Sequence, residues 1–285
     1  MIARVRLLRR LLSVLLVLAF AALLPAALAT SWVDRTVADT NGYVDAVATL
    51  ADEEAVQDAV TVRVRAAVVS ALDVPPGLAE DAVASAVTLA VRRVVESDAF
   101  PPLWRASNEV AHRSLVGVLS QPEGSGGSVT IDVTPVVEAV LGQLPSRLVS
   151  GSVEVPPATF SVASSERVDD ARGAYQAVQG RGTVVPVLAA AALVLALAVS
   201  PLRRRTTMLA AALPLATLGL LAVALVGGRQ VVEAGSGVGE ERELVLQVWD
   251  ALVSGLWLST AVAAVVALVV LLVAAVLPRR RPSPA

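Results

Sequence analysis

Four long apolar stretches dominate this chain, and arginine clusters stand at their ends. The stretches are Leu11–Ala29, Thr183–Leu202, Thr207–Val226 and Leu252–Leu277. A helix needs about 20 apolar residues to cross a bilayer, so each stretch predicts a transmembrane helix. The clusters are Arg4, Arg6, Arg9 and Arg10; Arg203, Arg204 and Arg205; and Arg279, Arg280 and Arg281, with no acid among them. Arginine bias of this kind places the flanking segments in the cytoplasm. The expected order is a cytoplasmic N-terminus (residues 1–10), helix 1 (11–29), an extracytoplasmic domain (30–182) and helix 2 (183–202). A cytoplasmic loop (203–206), helix 3 (207–226), an extracytoplasmic loop with a short helix (227–251), helix 4 (252–277) and a cytoplasmic tail (278–285) follow. The predicted location is the cell membrane, with several spans and both termini inside.

Trp32, Trp249 and Trp257 lie near the outer boundaries, where an apolar ring with one polar N–H is favoured. The first apolar run, with Pro25 and Ala27-Leu28-Ala29, also has the form of a cleavable signal peptide. Its length favours an uncleaved signal anchor. No acid, arginine or histidine lies inside any of the four runs, which argues against an ion-coupled pump. Pro186 and Pro214 are candidate kinks, and small residues such as Ala189, Ala190, Ala210, Ala211 and Gly219 permit close helix approach.

Between the membrane runs the charge reverses. Residues 30–182 hold 20 acidic groups against 11 arginines, and 227–253 hold five against two. That excess disfavours nucleic-acid binding and reads as a solvated surface. There is no cysteine, so disulfides, thiol catalysis and lipid attachment through cysteine are excluded. About 150 residues suffice for an independent apolar core.

Periodicity predicts a helix-rich α+β domain there. Helices are expected over Asn41–Leu50, capped from Asp39 or Thr40, and over Asp52–Leu72. Within the second, Val60-Thr61-Val62-Arg63-Val64-Arg65 alternates as a strand would. Leu78–Glu96 carries Val83, Val87, Ala90 and Val94 on one stripe, and Leu103–Leu119 is the next helix. After the glycine-rich Gln121–Ser128 come a strand at Val129–Val133, a helix at Pro135–Val149, a strand at Thr159–Ala163 and a helix at Ser165–Gln179. Glu240–Asp250 is expected to be helical and to dock on the main domain.

One polar pair has chemical potential. Asn108 and His112 stand four residues apart on one helix face, and His112 is the only histidine. A triad needs an acid and a nucleophile placed around it, and a zinc site needs more ligands. Neither partner set is visible, so a hydrogen-bonded structural histidine is the favoured reading. Glu109 and Arg113 form an expected surface pair. Glu53, Glu54 and Asp58, and Asp169 with Asp170, lack EF-hand spacing, and GSGG lacks the strand before it that a phosphate loop requires. No catalytic residue, cofactor or metal is assigned.

The residues Phe100, Leu103, Trp104, Ala106, Asn108, Ala111, His112 and Leu115 form the pattern F-x-x-L-W-x-A-x-N-x-x-A-H-x-x-L. With Gly127-x-Val129-x-Ile131-Asp132-Val133 and the segment 160–179, it resembles a family of actinobacterial integral membrane proteins. The resemblance implies one span, a large extracytoplasmic domain and three further spans. It implies no activity and no site residue.

The functional expectation is a non-enzymatic sensor, scaffold or accessory subunit in the lipid bilayer, acting on another membrane or envelope protein, with a homo-oligomer left open. Two alternatives stand beside it. One is a mechanical coupling subunit of an ATP-driven transport complex, whose layout is similar. The other is an extracytoplasmic hydrolase using His112.

Overall fold

The computed structural model describes residues 2–71, 80–121, 129–132, 134–142, 159–163, 172–173, 175–176, 180–236 and 240–276. Two compact units emerge. One comprises residues 1–35, 178–231 and 253–285, and the other residues 36–177 and 232–252. We call them the apolar and the polar unit. The chain is a helical membrane protein: among the described residues, three helices are long and apolar enough to cross a bilayer.

In the apolar unit, α1 (Ile2–Trp32) begins nine residues before the first apolar run, so Arg4–Arg10 are helical rather than a separate N-terminal tail. A short π turn, Val33–Val37, follows it. The second run forms α7 (Val184–Val199). At 1.5 Å per residue its 16 residues extend about 24 Å, less than the ~30 Å hydrocarbon core. The expected count of four long spans therefore becomes three, plus this shorter apolar helix. The cause is local. Ser200 precedes Pro201, which disfavours helical backbone, and Ser200 is extended.

α8 (Arg203–Gly235) starts at the first residue of the arginine cluster. Residues 203–206 are thus its first turn and not a loop; Ser200–Leu202 supply the connection. α9 (Glu240–Val276) is longer still. The segment 227–251 is accordingly mostly the ends of these two helices. Leu277 and Arg279–Arg281 lie outside the described residues.

Side-chain contacts fix the directions of these helices. Ser13 donates to Ala196 O (3.0 Å) and Ser31 to Gly182 O (3.0 Å), so α1 and α7 are antiparallel. Ser13 meets Thr206 and Thr217 donates to Ala21 O, so α1 and α8 run the same way. Arg204 reaches Ala274 O and Ala275 O, so the start of α8 lies beside the end of α9.

The polar unit is built on valine. α2 (Thr40–Val47) is capped by Asp39, whose carboxylate accepts from Gly42 N at 2.8 Å. A 3₁₀ turn, Ala48–Asp52, leads into α3 (Glu54–Ala71). Helix wins over strand in the alternating stretch because burial follows the helical period. Val56, Val64 and Val68 are fully buried, whereas Val62 is 57% exposed. A strand would have placed Val62 beside Val64. α4 (Glu80–Val95) buries Val83, Val87, Ala90 and Val94 as one stripe. α5 (Phe100–Leu119) starts earlier than expected, because Pro101 and Pro102 fit a first turn whose N–H groups need no intrahelical partner.

α6 (Thr134–Leu141) completes the main core, where Val137 and Val140 join Val64, Val68, Val87 and Phe100. Strands β1 (Val129–Asp132) and β2 (Thr159–Ala163) pair antiparallel, with Thr130 opposite Ser161 and Asp132 opposite Thr159. Two short strands form a ribbon, not the sheet layer of an α+β domain. The described fold is therefore helical in class. Of the helix expected over Ser165–Gln179, only four residues are described.

Candidate functional site

The polar pair predicted on α5 becomes the middle of a longer chain of contacts. Trp104, Asn108 and His112 recur every four residues, so they share one face of α5. That face lies against α2. Trp104 Nε1 donates to Val47 O at 2.9 Å. Asn108 Nδ2 donates back to Trp104 O at 2.9 Å, and its Oδ1 accepts from the Tyr43 hydroxyl at 3.4 Å. Tyr43 in turn stacks on the His112 ring, with centroids 4.2 Å apart and planes 19° off parallel.

His112 is 97% buried and both of its nitrogens are engaged. Nε2 lies 3.0 Å from Val37 O, and Nδ1 lies 3.2 Å from Thr40 Oγ1. A carbonyl can only accept, so Nε2 carries the proton and Nδ1 accepts from the Thr40 hydroxyl. Burial pushes the imidazole below its ordinary pKa, while the Val37 hydrogen bond and the nearby Asp39 charge pull it upward. Burial raises the Tyr43 phenol. The ring therefore stays neutral near pH 7 and ties the segment entering α2 to α5. Chemically, the arrangement is a clamp: neither ring nitrogen presents a free lone pair to a substrate.

Charged pairs decorate its rim. Arg105 meets Asp45 at 2.6 Å, joining α5 to α2, and Arg113 pairs with Glu109 as its spacing predicts. Both pairs are well exposed and contribute little energy. Among the described residues no group of three or more metal-ligating side chains converges. Asp58 pairs with Arg92 at 3.6 Å.

A second set of polar contacts lies in the apolar unit, where the sequence had marked arginines only as orientation signals. Two of them also cap helices. Arg9 Nε donates to Val199 O (3.1 Å), at the end of α7. Arg204 donates through Nε and Nη2 to Ala274 O (2.8 Å) and Ala275 O (2.9 Å), the last turn of α9. The final carbonyls of a helix have no intrahelical donor, and a cation there also suits the dipole. Arg4, Arg6, Arg10, Arg203 and Arg205 are exposed.

Between the two capping arginines lies a buried hydroxyl chain that sequence reasoning missed. Ser13, Ser200 and Thr206 are all buried. Ser13 spends its proton on Ala196 O, so it must accept from Thr206 (3.3 Å). Thr206 then accepts from Ser200 (2.6 Å), and Ser200 accepts from Leu202 N (3.1 Å). Every hydroxyl donates once and accepts at least once, which is the condition for burying it cheaply. Isolated serines inside apolar helices carry no sequence signal for such a chain.

No protein-family description, curated protein or solved structure matches this chain.

Proposed function

We propose that this is a four-span protein of the cell membrane with both termini in the cytoplasm. Its helix-rich extracytoplasmic domain, carrying the β1–β2 ribbon, serves as a non-enzymatic sensor, scaffold or accessory module for another membrane or envelope protein. The carrying observation is the packing of α9. Leu244, Val248, Ala251 and Leu252 sit against Val47, Leu50 and Val56 in the core of the polar unit. The same uninterrupted helix continues as an apolar membrane segment to Val276. Whatever binds the polar unit and shifts its α2–α3 core acts on residues covalently continuous with that segment.

The antiparallel seating of α7 along α1 supports its counting as the fourth span, since extended residues and bilayer thinning can accommodate a short helix. The bonds of Arg9, Ser13 and Ser31 to α7 and its N-terminal flank support an uncleaved first helix. The full engagement of His112 favours the binding reading over hydrolysis.

The test is crosslinking in native membranes, affinity purification and mass spectrometry, with Val248→Asp as the comparison. The expected result is a reproducible membrane or envelope partner whose recovery falls several-fold in the variant, while membrane insertion persists. A cytoplasmic ATPase as principal partner would replace this reading with the coupling-subunit alternative. Recovery of this chain alone from both preparations would overturn it.

A further inference from the structure

Polar contacts link four helix ends at the arginine end of the apolar unit: the starts of α1 and α8 and the ends of α7 and α9. The Ser13–Thr206 contact joins α1 to α8, and Arg204 joins α8 to the last turn of α9. Arg9 and Arg10 lie one helical turn before Ser13, and Arg203–Arg205 lie within one turn before Thr206. Both arginine segments therefore border the Ser200–Leu202 connection, and Arg9 bonds Val199 O, the residue just before it.

The apolar unit supplies no acidic side chain beside them. In the whole apolar unit Asp34 is the single acid, and it is bonded at the far end of α1 to Gly182 N. Arg203, Arg204 and Arg205 moreover occupy the first turn of α8, where the helix already presents positive partial charge. Like charge at a helix N-terminus is unfavourable unless an anion is present. Two of the arginines are also pre-positioned. Arg9 uses one N–H and Arg204 two on backbone carbonyls, out of five donors each. Among the described residues of this unit, no side chain accepts from the remaining N–H donors.

We propose that this end of the molecule is a binding site for the phosphate headgroup of an anionic phospholipid. Arg9 and Arg204 act as fixed anchors, with Arg10, Arg203 and Arg205 as adaptable partners. A lipid is favoured over free phosphate because apolar surface adjoins the donors. Leu8 and Leu11 on α1 are 67% and 55% exposed, and Leu209 on α8 is 41% exposed, which provides a bed for acyl chains. Guanidinium groups bind phosphate oxygens through paired N–H donors, a geometry that lysine cannot supply.

The experiment uses the purified full chain in phosphatidylcholine nanodiscs, with or without phosphatidylglycerol. Lipid retained through detergent washing is counted by mass spectrometry, and thermal unfolding is followed in parallel. Wild type is expected to retain phosphatidylglycerol selectively and to melt higher in its presence. Arg203→Gln with Arg205→Gln should lower that retention by about tenfold or more, given the worth of two cations at an anionic surface. Arg203→Lys with Arg205→Lys keeps the charge, and hence the orientation signal, and should still lose several-fold. Equal retention in the lysine variant and wild type would reduce the effect to general charge attraction and overturn a built site. Reproduction of the thermal shift by sodium phosphate in phosphatidylcholine alone would overturn the lipid assignment. Retention of both lipids alike would overturn the proposal altogether.

Discussion

His112 shows how one side chain can carry a condition for folding. Its lone pair on Nδ1 accepts from Thr40 and its Nε2–H serves Val37 O, so protonation would force the Thr40 hydroxyl to turn around. Because the folded-state pKa lies below the ordinary value, an unfolded chain takes up the proton first. Stability is therefore fully present above about pH 6.5. It declines as the pH falls through that value and towards the lower folded pKa. Thermal unfolding of wild type and His112→Gln between pH 7.5 and 5 should show a steeper loss for wild type; parallel profiles would contradict the assignment. Separately, His112→Ala should cost about 2–3 kcal/mol by leaving Val37 O and the Tyr43 face unserved.

Gly182 offers a second test at this scale. Its N–H donates to Asp34 Oδ2 at 2.8 Å, and a methyl at Cα would collide with the Asp34 side chain. Gly182→Ala should lower the melting temperature. Asp34→Ala with Gly182→Ala should recover part of the loss, because the two changes share one contact.

At the scale of elements, the membrane helices are joined by polar atoms that repair one another's breaks. Pro25 lies inside α1 and has no N–H to offer. The carbonyl it strands is that of Ala21, four residues earlier. Thr217 of α8 donates to that oxygen at 2.8 Å. The same logic explains α7, whose terminal carbonyls at Ala196 and Val199 are served by Ser13 and Arg9 of α1. In an apolar surrounding a stranded carbonyl is costly, so these bonds decide which helices neighbour each other. Thr217→Val should therefore destabilise the apolar unit by about 1–3 kcal/mol. Replacing Pro25 by Ala in the same chain restores an N–H for Ala21 O and should recover most of that loss. A double-mutant cycle of detergent unfolding measures it, and strict additivity would show that Thr217 and Pro25 act independently.

For the whole molecule, the decisive quantity is which segments share a side of the membrane. The absence of cysteine makes the chain a clean background for labelling. Single cysteines at Leu202 and Ser97, probed in intact cells with a membrane-impermeant maleimide, should label only at position 97. Permeabilisation should then expose position 202. Labelling of both in intact cells would remove α7 from the count of spans and with it the proposed arrangement.

Much of this protein follows from local chemistry. The three long apolar helices, the Asp39 cap, the buried stripe of α4 and the Glu109–Arg113 pair depend on residues within a few positions of one another, where composition and period suffice. The α3 stretch did not follow from period alone, since valine suits both states and only packing against α4 and α6 chose the helix. The short α7, the helical start at Arg203 and the modest extent of the β ribbon likewise emerged from the fold. Asn108 and His112 were legible as a face of α5, but their partners Thr40, Tyr43 and Val37 stand 65 or more residues away in sequence. The same holds for Ser13 with Thr206 and for Thr217 with Ala21. A hydroxyl's role is set by whichever orphaned carbonyl or ring nitrogen tertiary packing brings within hydrogen-bond reach. Sequence therefore determined where the membrane segments lie and what charge borders them. Tertiary structure alone decided which polar groups are spent on one another and which helix ends Arg9 and Arg204 cap.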